Sequence, residues 1–520
     1  MQEKTPTAST SARPSRSRAI FAGLAAASAG VGVAEVAAVL LSPRSSPLAA
    51  SGALIIDLSP SWLKEAVIGL FGTADKIVII VAVAFLVAVL AAIAGVVEAT
   101  TPPWGRIIMV GIGAIGVFAS VTRADSSTLS ALPAIIAAVI AVTVLVFLTR
   151  RSRAVDSAAG VIERDVERRT FLISAGLAAG IGVVAALGGR LAATGIQAVD
   201  AARRMFTLPA PAVTAPPVPA GTSLDVAGIA PLVTPNHDFY RIDTALIVPS
   251  IDPEQWSLKV TGLVDRELTL SFEELLALPL EESYTTLACV SNAVGGGLIG
   301  NALWLGYPIR HLLARAGPQS GADMVLSRSV DGFTAGTPLS ALTDDRNAIL
   351  AVAMNGEPLP PEHGFPVRVV VPGLYGYVSA TKWLTELKVT SFANDAAYWT
   401  DRGWSARGPV KLSSRIDTPR ASRRVTAGTV IVAGVAWSQH VGVSRVEVRI
   451  DDGRWQEATL AEAISADTWR QWSFEWDAPQ GQHTLTVRAT DANGLLQTAD
   501  YADVVPDGAT GHHTVPVNVS

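Results

Sequence analysis

Long apolar runs fill the first 190 residues and stop there. Stretches near 19–41, 77–97, 105–121, 130–148 and 170–190 each approach the roughly 20 residues needed to cross ~30 Å of hydrocarbon, so about five transmembrane helices are expected. The third run is the shortest, and 77–97 is the clearest, with no charge after Lys76. Residues 191–222 are rich in Pro and Ala (Pro209, Pro211, Pro216, Pro217, Pro219) and read as an extended, semi-rigid linker. From 223 to 408 the pattern is mixed. Residues 256–262 alternate like a strand, and Ser271 with Glu274 forms a capping box ahead of a short helix. A second helix, 307–316, stops at Gly317. Residues 409–520 show strand patterns only. Val446, Val448 and Ile450 alternate with Glu447 and Arg449 before a turn at 451–453, and Leu485, Val487 and Ala489 alternate before a turn at 491–494. About seven such runs predict a β-sandwich. The expected architecture is multi-domain: an α-helical membrane domain, an α+β domain and a terminal sandwich.

Charge orients the first domain. Lys4, Arg13, Arg16 and Arg18 precede the first run, and Arg150, Arg151, Arg153, Arg164, Arg168 and Arg169 lie between the fourth and fifth. Basic loops stay cytoplasmic. Five spans put both clusters on that side and deliver everything after 190 outside, which predicts a multi-pass protein of the plasma membrane. Arg168-Arg169-Thr170-Phe171-Leu172 ahead of the last run resembles a twin-arginine export signal, although two arginines also commonly flank a span. Glu35 is the one acid of note within the runs, near the outer end of the first, where a structural and a functional role are equally open.

Composition adds mainly exclusions. Charged residues make up 16 % of the 520 and apolar residues 49 %, as expected of a chain partly in lipid. A net charge of −5 without a basic stripe argues against a nucleic-acid partner. One cysteine excludes intrachain disulfides and cysteine-ligated iron–sulfur clusters. All seven histidines lie at His237 or later, so paired histidines in the spans cannot hold haem. No haem or iron–sulfur cluster is expected in this chain.

That cysteine, Cys289, follows a strand-like run, TTLA, and precedes a glycine-rich loop. A thiolate suits a soft transition metal, although a lone Cys is commonly a small buried hydrophobe. Gly295, Gly297 and Gly300 fit the spacing of a dinucleotide fingerprint, but neither the helix nor the distal acid that the fingerprint needs follows.

Residues 354–373 read MNGEPLPPEHGFPVRVVVPG, followed by Lys382, Trp383 and Leu384. Together with Thr234-Pro235-Asn236, Phe239-Tyr240-Arg241, the Cys289 segment with Asn292, and 302–308 (ALWLGYP), this resembles the sulfite oxidase family of molybdopterin enzymes from about Thr234 onward. Ala436-Trp437-Ser438 and 442–448 resemble the family's immunoglobulin-like dimerisation domain. The resemblance implies Mo-molybdopterin as cofactor, with Cys289 as the metal's thiolate beside one dithiolene and oxo ligands. It implies that Arg241, His363, Arg368 and Lys382 hold the pterin and its phosphate, with Ala380 and Thr381 flanking and Asp331 a further contact. Cys289 and Arg241 are the catalytic candidates. Buried phosphate favours guanidinium forks and ammonium donors, and the His363 ring is expected to donate to the cofactor.

The chain departs from the family on the substrate side. Sulfite-oxidising members carry Asn-Arg soon after the cysteine, where Asn292 is here followed by Ala293, Val294 and three glycines. They have Arg-Asn-His where this chain has Arg241-Ile242-Asp243, and their active-site tyrosine falls near Phe333. A small dianion needs several cationic donors, so a larger or neutral oxo donor or acceptor is expected. Sulfite dehydrogenation is the alternative, and a cofactor-free scaffold of the same fold is a further one. The electron partner is expected to be a separate protein or quinone, and the sandwich implies a homodimer.

Overall fold

The computed structural model describes residues 15–41, 46–60, 63, 67, 75–123, 126, 129–157, 161–192, 203, 206–421 and 424–520. Contacts divide the chain into two units, one holding 1–198 with 244–247 and the other 199–243 with 248–520.

The first unit is helical: α1 (Arg16–Leu41), α2 (Pro47–Leu58), α3 (Asp75–Thr100), α4 (Trp104–Val121), α5 (Leu132–Ser157) and α6 (Val161–Ala192). Among the described residues α1, α3, α4 and α5 are long and apolar enough to cross a membrane. The expected fifth span, 170–190, lies in α6, with Ile181 and 185–190 outside the residues whose side chains are described. Ala22, Ala26, Ala91 and Ala94 are fully buried where the helices meet, as in membrane packing that relies on small residues and close backbones. Glu35 is buried and accepts the Ser46 hydroxyl at 2.8 Å, which gives its carboxylate a structural partner. Glu98 is buried against Arg106 Nε at 2.8 Å.

The second unit is α+β followed by a sandwich. One five-stranded sheet has the order β2–β1–β10–β5–β6, built from β1 (Ser257–Gly262), β2 (Leu268–Ser271), β5 (Met324–Ser329), β6 (Thr334–Pro338) and β10 (Leu384–Thr390). The other runs β3 (Glu281–Ala288), β4 (Ile299–Pro308), β7 (Ile349–Met354) and β8 (Glu357–Pro358), with β9 (Arg368–Val370) also paired to β7. Helices α7 (Phe272–Leu276), α8 (Ile309–Ala316), α9 (Leu339–Thr343) and α10 (Gly376–Ser379) connect them. Ser271 and Glu274 form the expected capping box, and α8 ends at Gly317 with φ +71°. The β3–β4–β7 sheet is buried around Leu287, Trp304, Ile349, Met354 and Phe365.

The terminal domain has two sheets. One is β11 (Ser413–Thr418), β13 (Gly428–Trp437), β17 (Arg470–Ala478) and β16 (Thr459–Leu460). The other is β12 (Arg424–Val425), β19 (His513–Val519), β18 (Gly481–Asp491), β14 (Val443–Ile450) and β15 (Gln456–Glu457). Val432, Val446, Val448, Trp472, Leu485 and Val487 fill the space between them.

The Pro/Ala-rich segment is extended, as its prolines dictate, but 212–215 is not a free spacer. Ala212 N–H donates to Leu280 O at 2.7 Å, Glu282 N–H donates to Val213 O at 2.8 Å, and Ala215 N–H reaches the Glu282 carboxylate at 3.2 Å. Strand β3 lies at the edge of its sheet, and an unpaired edge favours a partner strand. Residues 193–202, 204 and 205 of the expected linker lie outside the described residues.

Candidate active site

Cys289 is the first residue after β3. Its N–H donates to Leu298 O at 2.9 Å and its carbonyl accepts Asn292 N–H at 3.1 Å. The Asn292 side chain then accepts Leu298 N–H at 2.8 Å, so the loop closes on itself and leads into β4 without a helix. Burial pushes the thiol pKa up, against hydrogen bonding involving Ser291 and the positive charge of Lys382. A thiol in this setting stays protonated until something cationic replaces its proton.

His363 ends a single 3-10 turn, Pro361–His363, and is 2 % exposed rather than on a surface turn. Its Nε2–H donates to Asn236 O at 3.0 Å, and Nδ1 is buried with no hydrogen-bond partner among the described residues. Burial, reinforced by the charges of Lys382 and Arg368, pushes its pKa down to about 3. With the ring neutral and Nε2–H donating, Nδ1 is an acceptor. The Nε2 donor is committed to a backbone carbonyl, so Nδ1 is the nitrogen left for a ligand.

Arg368 opens β9. Its Nη1 donates to His363 O at 3.2 Å, and the guanidinium lies 5.1 Å from the Trp304 ring centroid. Burial lowers its pKa to about 10, which still leaves it charged at neutral pH. Lys382 Nζ donates to Asp243 Oδ2 and to Glu362 O, both at 3.0 Å. Burial brings Lys382 down to about 8, with Asp243 opposing the shift. Arg241 Nε shares the same Asp243 oxygen at 3.0 Å. Between these groups Gly364 turns with φ +113°, and a Cβ there would stand 3.0 Å from Arg368 Cβ and 3.1 Å from Lys382 Cβ. Only glycine allows both the turn and the approach of the two cations.

The flanking residues are placed by backbone. Ala380 follows α10 and donates to Gly376 O at 2.9 Å; Thr381 lies between β9 and β5, its carbonyl accepting Val369 N–H at 2.9 Å and its hydroxyl 2.7 Å from Ser327 Oγ. Asp331 sits in the β5–β6 turn and accepts Phe333 N–H at 3.2 Å, while Val330 N–H ties that turn to Trp383 O at 2.9 Å. Phe333 packs on Tyr398 at 5.9 Å between ring centroids.

Sequence reasoning passed over two members. Asp243 stands in the sequence only as a departure from a motif, yet it is the counter-ion of two cations. Tyr240 is coupled electrostatically to both Cys289 and Arg368, and its phenol is held protonated mainly by burial. The carboxylate two residues after Arg241 was the available signal for the first. Chemically, the site offers a soft thiol, a ring acceptor and clustered cations. Arg368 has no carboxylate partner among the described residues. Such a set fits a soft metal carried by an anionic, N–H-bearing ligand.

Known proteins agree. Residues 245–399 match the family described as oxidoreductase molybdopterin binding domain, and 413–487 match the bacterial Ig domain. Mitochondrial sulfite oxidase from Homo sapiens is 32 % identical over 302 residues, covering 49 % of this chain and 55 % of that protein. Sulfite oxidase from Gallus gallus is 30 % identical over 321 residues, covering 52 % of this chain and 69 % of the relative. The chain thus spans little more than half the length of the mammalian relatives. The sulfane dehydrogenase SoxCD of Paracoccus pantotrophus shares the fold, with a TM-score of 0.50, 23 % identity, and coverage of 56 % of this chain and 84 % of that one. Fold and site define a molybdopterin-binding oxidoreductase domain followed by an immunoglobulin-like domain. The chain belongs to the sulfite oxidase family of molybdopterin-dependent oxidoreductases.

Proposed function

We propose that this protein is a membrane-anchored molybdenum-cofactor oxidoreductase that transfers an oxygen atom to or from a small substrate outside the cytoplasm. Its electrons are exchanged with a separate protein or quinone. The observation that carries this reading is the clustering of buried Cys289, His363 and Arg368, in which Arg368 bonds the His363 carbonyl and Lys382 and Tyr240 couple both to Cys289.

When bound, the cofactor supplies the two-electron, oxygen-transfer chemistry; the protein binds and orients it. Cys289 would provide the thiolate that holds the metal. Arg368, Lys382 and Arg241 would hold the cofactor's anionic part, and His363 would offer Nδ1 as an acceptor. Thr381 and Ala380 fix the backbone around Lys382, and Asp331 lies on the adjoining turn. Cys289, His363, Arg368, Thr381 and Lys382 are buried, which excludes water from their contacts and strengthens them.

The arginine-rich tail and 150–169 segment support a cytoplasmic N-terminus, and the Arg168-Arg169 pair supports export of a folded, loaded domain. Sulfite dehydrogenation is a second reading, favoured by the activity named for the relatives. Molybdenum per full-length chain, measured by elemental mass spectrometry after expression with cofactor synthesis intact, tests the main reading. About one atom per chain is expected for a single-site enzyme. Well-folded protein without molybdenum would overturn it in favour of a cofactor-free scaffold.

A further inference from the structure

The immunoglobulin-like domain packs against Tyr375 through the loop ahead of β19. Lys411 Nζ donates to Asp507 Oδ1 and to Gly508 O, both at 2.7 Å, and Ser405 N–H donates to Pro506 O at 3.0 Å. This loop lies on Tyr375. A Cβ on Gly508, whose φ is +101°, would stand 2.7 Å from the Tyr375 hydroxyl, and Lys411 N–H points at that oxygen from 3.4 Å. Tyr375 is 6 % exposed and leads into Gly376. A Cβ on Gly376 would be 3.8 Å from Ala288 O, on the peptide that enters Cys289, and 4.0 Å from the Tyr240 hydroxyl. Burial, with Cys289 and Asp507 acting in the same direction and the Lys411 N–H opposing, pushes the Tyr375 phenol up to about 12, so it carries its proton at neutral pH.

The cations around this face are already matched. Arg241 and Lys382 share Asp243, Lys411 holds Asp507, and Arg415, which donates to Gly296 O of the glycine loop at 2.8 Å, is paired with Asp417 at 2.6 Å. Arg368, the exception, would hold the cofactor's anionic part. A dianion entering here would meet no surplus positive charge, whereas a phenol offers one uncharged hydrogen bond to an S=O or N–O oxygen.

We propose that Tyr375, clamped by Lys411, Asp507 and Gly508, is the substrate-binding hydroxyl of this site and selects an uncharged oxo compound, of the sulfoxide or N-oxide class, over an oxyanion. The assignment rests on the reading of Cys289 as the metal ligand. It also gives the terminal domain a part in substrate selection.

The test uses the detergent-solubilised, molybdenum-loaded full chain, with methyl phenyl sulfoxide and sulfite as probes in isothermal titration. The wild type is expected to bind the sulfoxide more tightly than sulfite by roughly tenfold or more. Tyr375→Phe should weaken sulfoxide binding by about five- to tenfold, the loss of one neutral hydrogen bond, with molybdenum content unchanged. Gly508→Ala, which displaces the hydroxyl without removing it, should act in the same direction. In dye-linked turnover the Tyr375→Phe change should appear in KM rather than kcat. Tighter binding of sulfite, or unaltered sulfoxide binding in loaded Tyr375→Phe, would overturn the proposal alone. Protein that takes up no molybdenum would instead overturn the reading beneath it.

Discussion

Lys382 Nζ lies 3.0 Å from Asp243 Oδ2, and both side chains are almost fully buried. A buried pair of this kind is costly to break by removing one partner. Because Arg241 ends on the same oxygen, one carboxylate keeps two cations in place until an anionic group arrives.

Retention of the cofactor should therefore depend on the Lys382 ammonium, which is lost as pH rises through about 8. Asp243 holds that value up, so Asp243→Asn should move the loss to lower pH, and Lys382→Arg should flatten the dependence because a guanidinium keeps its charge. Pterin content after gel filtration across neutral to alkaline pH checks this. An Asp243→Asn profile that matches the wild type would count against the shared counter-ion.

His363 is held neutral, with a pKa of about 3 against the usual 6.5. The unfolded chain binds the proton more readily, so stability from the neutral ring is fully present above pH 6.5 and is lost as pH falls toward 3. His363→Gln should flatten the fall in melting temperature on that acid limb. An unchanged acid slope would mean that other groups govern it.

Cys289→Ser removes the thiolate while keeping the small polar shape. Activity should fall beyond the roughly 10–100-fold that loss of an outer partner to a metal ligand costs. Secondary structure should be unchanged by circular dichroism, and molybdenum per chain should drop. Retention of full turnover would remove Cys289 from the mechanism.

Arg415 and His513 belong to the terminal domain, yet Arg415 bonds Gly296 O, and a Cβ on Gly295 would run into the His513 ring. Thr286, near the end of β3, is bonded to Asp467, Trp469 and Gln439 of the same domain. A chain stopped at 408 would lose these ties and expose to water the end of β3 and the glycine loop that they cover. It should be cleaved far faster than the full chain in limited proteolysis, whereas Arg415→Met should stay folded and raise KM.

Much of this was legible because the signals are local. The Ser271–Glu274 box, the strand into Cys289, the stop at Gly317 and the alternation along β14 and β18 each lie within a dozen residues. The segment through His363 and Arg368 was legible only by resemblance, since nothing local says that the turn is buried. Asp243 with Lys382, 139 positions apart, and Lys411 with Asp507, 96 apart, are products of the tertiary fold, and no periodicity encodes them. The tautomer of His363 likewise depends on a carbonyl 127 positions away.

The pairing of Ala212 and Val213 with the start of β3 also bears on how this protein can be cut. A soluble piece started at 223, where composition alone puts the boundary, would strip one flank of the strand that leads into Cys289 and leave its backbone free to recruit a neighbour. A piece started ahead of Pro209 keeps its own protective strip. The stretch that looks like packing material between the apolar helices and the oxidoreductase domain is, in handling terms, the hem that stops the sheet from fraying.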